Sequence, residues 1–504
     1  MLHGAALFGL VTACHCLLLG LVLHGRAARP LLGAVFLANA LAMHYMQRYT
    51  VYFDPGMMRN ILRTDWREAR ELLSPALLAD LALYGLAPAL LAWRLPLARR
   101  SWKRAVGMRA ALLSGAAAVA LACLAVDYQE LSVQVRSRKE VRYLVLPGSF
   151  LVSGARALAA DGKHAAAPRA PVGTDARLAA SWEGRRKPVL LVLVVGETAR
   201  AANWGLNGYP RQTTPELAQL DVLNFPHVTA CGSSTEVSLP CMFSPFGRRH
   251  YDEKAIREHE SVLHVLRRAG FRTLWRDNQS GCKGVCAGLE MQALAGSQEP
   301  SLCDGERCLD EILLQGMREE VAHTSGNLVV VLHQLGNHGP AYWRRYPPSF
   351  RHFSPACEND DLARCSRQEI INSYDNALRY TDHFLARTIA LLQSQTSHDA
   401  ALLYVSDHGE SLGENGIYLH GLPYAIAPAE QTGIPMVAWL SSGFTASFRL
   451  DRECLRRRAG FPASHDYLFH SLLGLLQVQT RAYEPALDFS AGCRAAALPE
   501  GKGP

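Results

Sequence analysis

The sequence predicts a helical membrane domain followed by an α/β domain whose parallel strands present chemistry at their carboxyl ends. Three observations support this. The first ~130 residues hold four predominantly apolar runs of near membrane-spanning length. Further on, the short apolar runs 189–195, 271–275, 328–332 and 401–405 read as buried strands, each followed by polar residues. Of 13 cysteines, Cys14, Cys16 and Cys123 sit in the apolar runs and the other ten all follow residue 230.

Taken in order, runs 5–23, 31–45, 75–93 and 110–126, broken by isolated polar groups such as His15, Asn39 and Asp80, predict about four transmembrane helices in a domain 1–130. The N-terminus lacks the basic leader and small-residue cleavage site of a secretory signal, so the first helix is expected to remain as an anchor. Arg26 and Arg29 flank the first turn, and Arg94, Arg99, Arg100, Lys103, Arg104 and Arg109 surround the third. Basic loops favour the cytoplasm, which puts the N-terminus, the loop 48–73 and everything after residue 126 outside.

An exported domain with an even cysteine count suggests disulfides. Proximity pairs Cys231 with Cys241, Cys282 with Cys286, Cys303 with Cys308 and Cys357 with Cys365, leaving Cys454 for Cys493. A four-thiolate zinc site at Cys282, Cys286, Cys303 and Cys308 is the rival reading. Residues 131–187 are expected to form an interfacial segment and a linker, flexible over 160–186, where Ala, Gly, Pro and Arg dominate. A catalytic domain 188–495 and a tail 496–504 complete the chain. The formal net charge of +7 is modest and fits cytoplasmic loops beside anionic lipid; no nucleic-acid motif, internal repeat or Gly-rich nucleotide fingerprint is present.

The chemistry concentrates in three segments. VVGETAR (194–200) ends an apolar run on Gly196-Glu197, and SDHGESLGENGIYLHG (406–421) ends another on Asp407-His408. An open parallel sheet places its ligand site outside the strand carboxyl ends, where such carboxylates and an imidazole suit a metal. The alternative is that Asp407 and His408 merely cap a helix. Between them lies ACGSSTEVSLPCMFS (230–244), a hydroxyl-rich turn closed by two cysteines, which looks like a nucleophile loop. The residues alone leave Ser233, Ser234, Thr235 and Ser238 open.

From the second apolar run to the C-terminus, the blocks VVGETARAANWGLNGYPRQTTPEL, CGSSTEVSLPCMFS, DNQSGCKGVC, VLHQLGNHGPAY, INSYDNALRYTD, YVSDHGESLGENGIYLHG and HDYLFHSLLGLL resemble the phosphoethanolamine transferases that modify lipid A, a family that includes the mobile colistin-resistance enzymes. The resemblance implies an alkaline phosphatase/sulfatase-like α/β domain in the periplasm, carried by a multi-pass protein of a Gram-negative inner membrane. It implies phosphatidylethanolamine as donor, a lipid A phosphate as acceptor, and a covalent phosphothreonine intermediate. The product would lower negative surface charge and weaken polymyxin and other cationic peptides.

By motif, Glu197, Asp407 and His408 become zinc ligands, with Thr235 both fourth ligand and nucleophile. His338 and His420 match histidines near the transferred group or at a second zinc. Lys283 matches a lysine beside the phosphoryl group. Asn60, Thr64 and Glu68 are implied to hold the ethanolamine head group, and would share one face if 55–73 were helical. The plainer alternatives are hydrogen-bonded histidines, a solvated lysine and the polar face of an interfacial helix; His333 is read as structural. A monomer is expected. The chain departs from the pattern by showing one membrane helix fewer than the usual five, and at Ser233, Glu236 and Asn203. Two rival functions remain: a same-fold phosphotransferase or hydrolase acting on lipopolysaccharide core sugar or another glycan, and a noncatalytic zinc-stabilised membrane assembly protein. A sulfatase is disfavoured, because the Cys/Ser-x-Pro-x-Arg signature is absent at Thr235.

Overall fold

The computed structural model describes residues 2–96, 100–137, 139–164 and 168–494. Arg99, residues 165–167 of the expected linker and the expected tail lie outside the described residues. The chain forms two compact units, one of Met1–Leu62 with Leu73–Ala160 and one of Arg63–Leu72 with Asp161–Pro504.

In the first unit, helix Leu2–Val22 packs along Trp102–Ser137, and Ala28–Tyr49 packs against the segment running from Pro75 to Arg94. Among the described residues, three helices are long and apolar enough to cross a membrane: His3–Val22, Pro75–Arg94 and Trp102–Tyr128. The second of the four expected spans is helical but is not one of them, because Arg29, Asn39, His44, Gln47 and Arg48 dilute its apolar content. The third span carries a π-helical turn, Leu81–Leu86, where Ala87 N–H donates to the Ala82 carbonyl, five residues back. Pro88 follows and has no N–H to continue the ordinary ladder. Beside this turn, His44 Nδ1 meets Asp80 Oδ2 at 2.7 Å, so these two polar groups satisfy each other.

The second unit is built on eight strands in the order Ala463–Ser464, Leu223–Thr229, Gly433–Leu440, Asp399–Ser406, Val189–Gly196, Leu328–His333, Arg272–Asp277 and Glu290–Ala293. The four strands expected from the sequence are mutually parallel, and Gly433–Leu440 runs antiparallel to both its neighbours, so the sheet as a whole is mixed. Every residue of Val189–Gly196 is buried, as a central strand covered on both faces requires. Its side chains alternate between two cores: Leu191, Leu193 and Val195 join one, and Leu190, Val192 and Val194 the other. Each such Val or Leu contributes about 1.5–3 kcal/mol by leaving water. Helix Arg367–Gln393 covers the second core and begins with a reciprocal capping box between Ser366 and Glu369.

The expected flexible linker over 160–186 takes a different form. Helix Gly148–His164 runs into its start, and the described part beyond it is fastened to the sheet domain. Val172 is buried, Arg177–Leu178 pairs with Val478–Gln479, and the Arg185 guanidinium lies 3.6 Å from the Phe448 ring centroid and 4.3 Å from that of Trp182. Short interspersed side chains reach partners some 300 residues away, which a local composition reading does not reveal. All five expected disulfides are formed, so the four-thiolate zinc site is excluded.

Candidate active site

Register sets the site. Val189–Gly196 and Asp399–Ser406 are adjacent and parallel, with Gly196 opposite Ser406, so the next residues, Glu197 and Asp407, emerge side by side at the carboxyl ends. His408 follows directly. Thr198 adopts φ 52° and donates its backbone N–H to Asp407 Oδ1 at 3.2 Å. A buried β-branched residue in the left-handed region marks strain held where the ligands are aimed. Gly336, at φ 53°, lets a neighbouring loop lie against Glu197, since a Cβ there would come within 2.8 Å of the Glu197 carbonyl.

Thr235 opens the helix Thr235–Met242 after the turn that leaves strand Leu223–Thr229. The Cys231–Cys241 disulfide ties that turn to the far end of the helix. Thr235 Oγ1 lies 3.0 Å from Glu197 Oε2 and 3.3 Å from His408 Nε2. Ser233 Oγ instead donates to the Leu422 carbonyl, and Ser238 Oγ to the Asp407 carbonyl at 2.5 Å. Of the hydroxyls left open by sequence, Thr235 is therefore the one joined to both the carboxylate and the imidazole.

Glu197, Asp407 and His408 are fully buried, and their ligand atoms all lie within 4.8 Å of one another. Glu197 Oε1 and Asp407 Oδ2 have no hydrogen-bond partner, and each is 3.4 Å from His408 Nε2. His408 Nδ1 is 2.9 Å from the Gly409 carbonyl, a contact that would keep a proton on Nδ1 and free the Nε2 lone pair for a bound cation. With protein groups alone the charges conflict. Burial pushes Glu197 up, yet His408, His338 and His420 hold it well below the usual carboxylate range. Burial and then Glu197 push Asp407 up to about 6. Burial lowers His408, but Asp407 and Glu197 raise it to about 10. Two buried carboxylates with bare oxygens facing one imidazole lone pair fit a divalent cation.

Around this cluster, His420 is flanked by His408 and His338, with ring centroids 4.3 and 5.7 Å away. Glu197, His338 and His420 form a second group able to hold a metal, and His408, Glu410 and His420 a third. His338 is driven well below its ordinary pKa by burial, against the pull of Glu197, and its Nδ1 has no partner. Sequence reading missed Glu410. Its carboxylate accepts from Tyr342 OH at 2.6 Å and meets His420 Nδ1 at 2.7 Å. It also missed His465, the first residue of the HDYLFH block, which accepts from Cys231 N–H at 3.0 Å and reaches the Ser406 carbonyl at 2.9 Å. Burial lowers His465 to about 4, so a neutral imidazole bridges the turn before Thr235 and the strand before Asp407. His333 is structural, bound to Asp277 at 2.7 Å.

Lys283 Nζ contacts Ser280 Oγ at 2.6 Å and belongs to the loop whose Gln279 donates to Glu197 Oε2 at 3.0 Å. Gln279 also lines a cleft with Asp65, Glu68, Arg307, Cys308 and Leu335. Burial and then Asp65 push Glu68 up to about 7, with Lys283 pulling the other way. The condition that 55–73 be helical throughout is not met: the segment holds two helices, Pro55–Arg63 and Trp66–Glu71. Asp65 breaks it, because its side chain caps the second helix by accepting from Glu68 N–H. Asn60 lies in the helical unit, whereas Thr64 and Glu68 belong to the sheet unit.

Two family models match the chain, one described as phosphoethanolamine transferase EptA/EptB over residues 11–161 and one as sulfatase over residues 190–478. Phosphoethanolamine transferase EptA of Escherichia coli (strain K12) is 39% identical over 469 residues, 92% of this chain and 86% of that protein. Phosphatidylethanolamine transferase Mcr-1 of Escherichia coli is 39% identical over 422 residues, 82% and 78% of the two chains. The structure of the integral membrane lipooligosaccharide phosphoethanolamine transferase A (EptA) from Neisseria meningitidis superposes with a TM-score of 0.91 at 35% identity, covering 95% of this chain and 90% of that one. Fold and matches define a transferase with a sulfatase-like domain behind apolar amino-terminal helices. The chain belongs to the lipid A phosphoethanolamine transferase family.

Proposed function

We propose that this chain transfers phosphoethanolamine from phosphatidylethanolamine to a lipid A phosphate, on the periplasmic side of a Gram-negative inner membrane, through a covalent adduct on Thr235. The observation that supports this most directly is the Thr235 hydroxyl, 3.0 Å from Glu197 and 3.3 Å from His408 at the carboxyl ends of the central strands. Glu197, Asp407, His408 and Thr235 would hold zinc, which supplies Lewis-acid chemistry by stabilising an alkoxide and polarising a phosphoryl oxygen. His338 and His420 would hold a second ion or meet the substrate directly.

Thr235 Oγ attacks the donor phosphorus, and its proton departs along the hydrogen bond to Glu197 Oε2. The bond from phosphorus to the diacylglycerol oxygen breaks. His420, with Nδ1 held by Glu410, donates a proton from Nε2 to that oxygen as an imidazolium and takes another from solvent before the next cycle. Lys283 follows the charge on the transferred group, and Glu68 and Thr64 hold the ethanolamine ammonium. An anionic lipid A phosphate oxygen then attacks the adduct, and Thr235 leaves and regains its proton. The product carries one more ammonium, which lowers net negative charge and weakens attraction for polymyxin and cationic peptides.

Purified protein given phosphatidylethanolamine alone is expected to release about one diacylglycerol per site quickly and then slow, with the adduct on the Thr235 peptide by mass spectrometry. Thr235→Ala abolishes the burst and leaves bound zinc largely in place. A direct lipid-to-lipid transfer would show neither burst nor adduct and would overturn the reading. Addition found on core sugar and absent from lipid A in expressing cells would reassign the acceptor.

A further inference from the structure

The nucleophile helix carries an acid that the chemistry above leaves unused. Glu236, next to Thr235, is fully buried. Its Oε1 accepts from Arg257 Nη2 at 2.8 Å and from Arg63 Nη1 at 2.7 Å, and Arg257 also donates to the Glu236 carbonyl at 2.9 Å. Arg257 is buried and steadied by Glu253 at 3.2 Å, whereas a third of the Arg63 side chain is exposed, at 34%.

Arg63 begins Arg63–Leu72, the segment that belongs to the sheet unit although the chain on either side of it belongs to the helical unit. Near the other end, buried Glu71 sits between Arg307 at 3.0 Å and Arg345 at 2.6 Å. Arg345 Nε in turn donates to the His338 carbonyl at 2.6 Å. One end of the segment is thus fastened to the residue beside Thr235 and the other to the loop carrying His338, with Glu68 between them. Charge-assisted contacts to a buried carboxylate hold geometry well, because the alternative leaves that charge bare.

We infer that Glu236 is a positioning residue: through Arg63 it latches the segment to the nucleophile helix and fixes the span between Glu68 and Thr235, so that the donor's ammonium and phosphorus are gripped together. This rests on the reading of Thr235 as nucleophile and Glu68 as head-group ligand. Arg63→Gln cuts the latch while Arg257 still pairs Glu236, so the core keeps its charge balance. The latch organises binding, and its loss therefore falls on KM for phosphatidylethanolamine.

The test uses the purified full-length protein and phosphatidylethanolamine in detergent micelles, with diacylglycerol release, bound zinc, Tm and the Thr235 peptide adduct followed together. Arg63→Gln is expected to raise KM on the order of 10–100-fold, with kcat, zinc and Tm close to the parent. Arg63→Lys restores most of the affinity. Glu236→Gln raises KM likewise, and the double variant is no worse than Glu236→Gln alone. Should Glu236→Gln fail to fold because Arg257 is stranded, Arg63→Gln against Arg63→Lys decides. An unchanged KM in Arg63→Gln, or additive losses in the double variant, overturns the latch while the Thr235 adduct stands. Absence of that adduct in the parent protein overturns the functional reading instead.

Discussion

At the scale of single residues, the site is a set of buried charged groups that orient one another. His420 gains its orientation from Glu410, and Glu410 from Tyr342, a chain of contacts of 2.7 and 2.6 Å with no solvent between. Glu410→Gln keeps the shape but removes the charge that fixes the His420 tautomer. Transfer is expected to fall about 10–100-fold, as for other partners that orient a functional histidine, while zinc at Glu197, Asp407 and His408 is retained. A parental rate from this variant, measured by lipid mass spectrometry over time, would show that His420 needs no such support. Glu197, Asp407 and His408 were legible in the sequence because each ends an apolar run. Glu410 was equally visible as a letter, but its meaning depends on Tyr342, 68 residues away. Glu236 could be flagged beside Thr235 without its direction, since Arg63 and Arg257 come from separate elements.

Among elements, what could be read depended on how apolar runs betray strands. Val189–Gly196, Leu328–His333 and Asp399–Ser406 announce themselves because both faces are covered. Leu223–Thr229 is hidden by Pro226 and His227, and Glu290–Ala293 by its largely exposed edge. No periodicity tells the direction of a fully buried strand, so the antiparallel Gly433–Leu440 was beyond sequence. Asp65 was a readable cap signal, yet the i, i+4, i+8 spacing across it suggested one helix. Helix Thr235–Met242 is shorter than its covalent brace, since Cys231–Cys241 closes a separation of 10 residues. Replacing both cysteines by serine is expected to cost about 2–3 kcal/mol from loop closure alone. It should depress transfer further by loosening Thr235. Chemical denaturation and activity on the same preparation check this; equal stability would mean that the buried turn is held by His465 and packing.

For the whole molecule, the proposed zinc ties the site to the stability of the sheet unit. Without an ion, Glu197 Oε1 and Asp407 Oδ2 are buried without partners. Binding at 1,000 times the dissociation constant contributes about 4 kcal/mol, so chelation is expected to lower Tm by several degrees and zinc to restore it. Differential scanning calorimetry of the full chain, with and without chelator, reads this directly. A Tm indifferent to chelator would argue against a tightly held ion. The helical unit draws on other sources, among them the paired His44 and Asp80 between its helices.

Arg63–Leu72 also decides how such proteins can be cut and recombined. The sheet unit is discontinuous in sequence, with part of it encoded ahead of two of the three apolar spans. A fragment beginning at residue 168 leaves behind Glu68, Glu71 and Arg63, and strands Arg307 and Arg345 without their acid. A chimera of two family members joined at one point after residue 160 pairs one parent's segment with the other's Glu236. The exchangeable module is two stretches of gene inherited together, because Glu236 is matched to an arginine encoded 173 residues upstream.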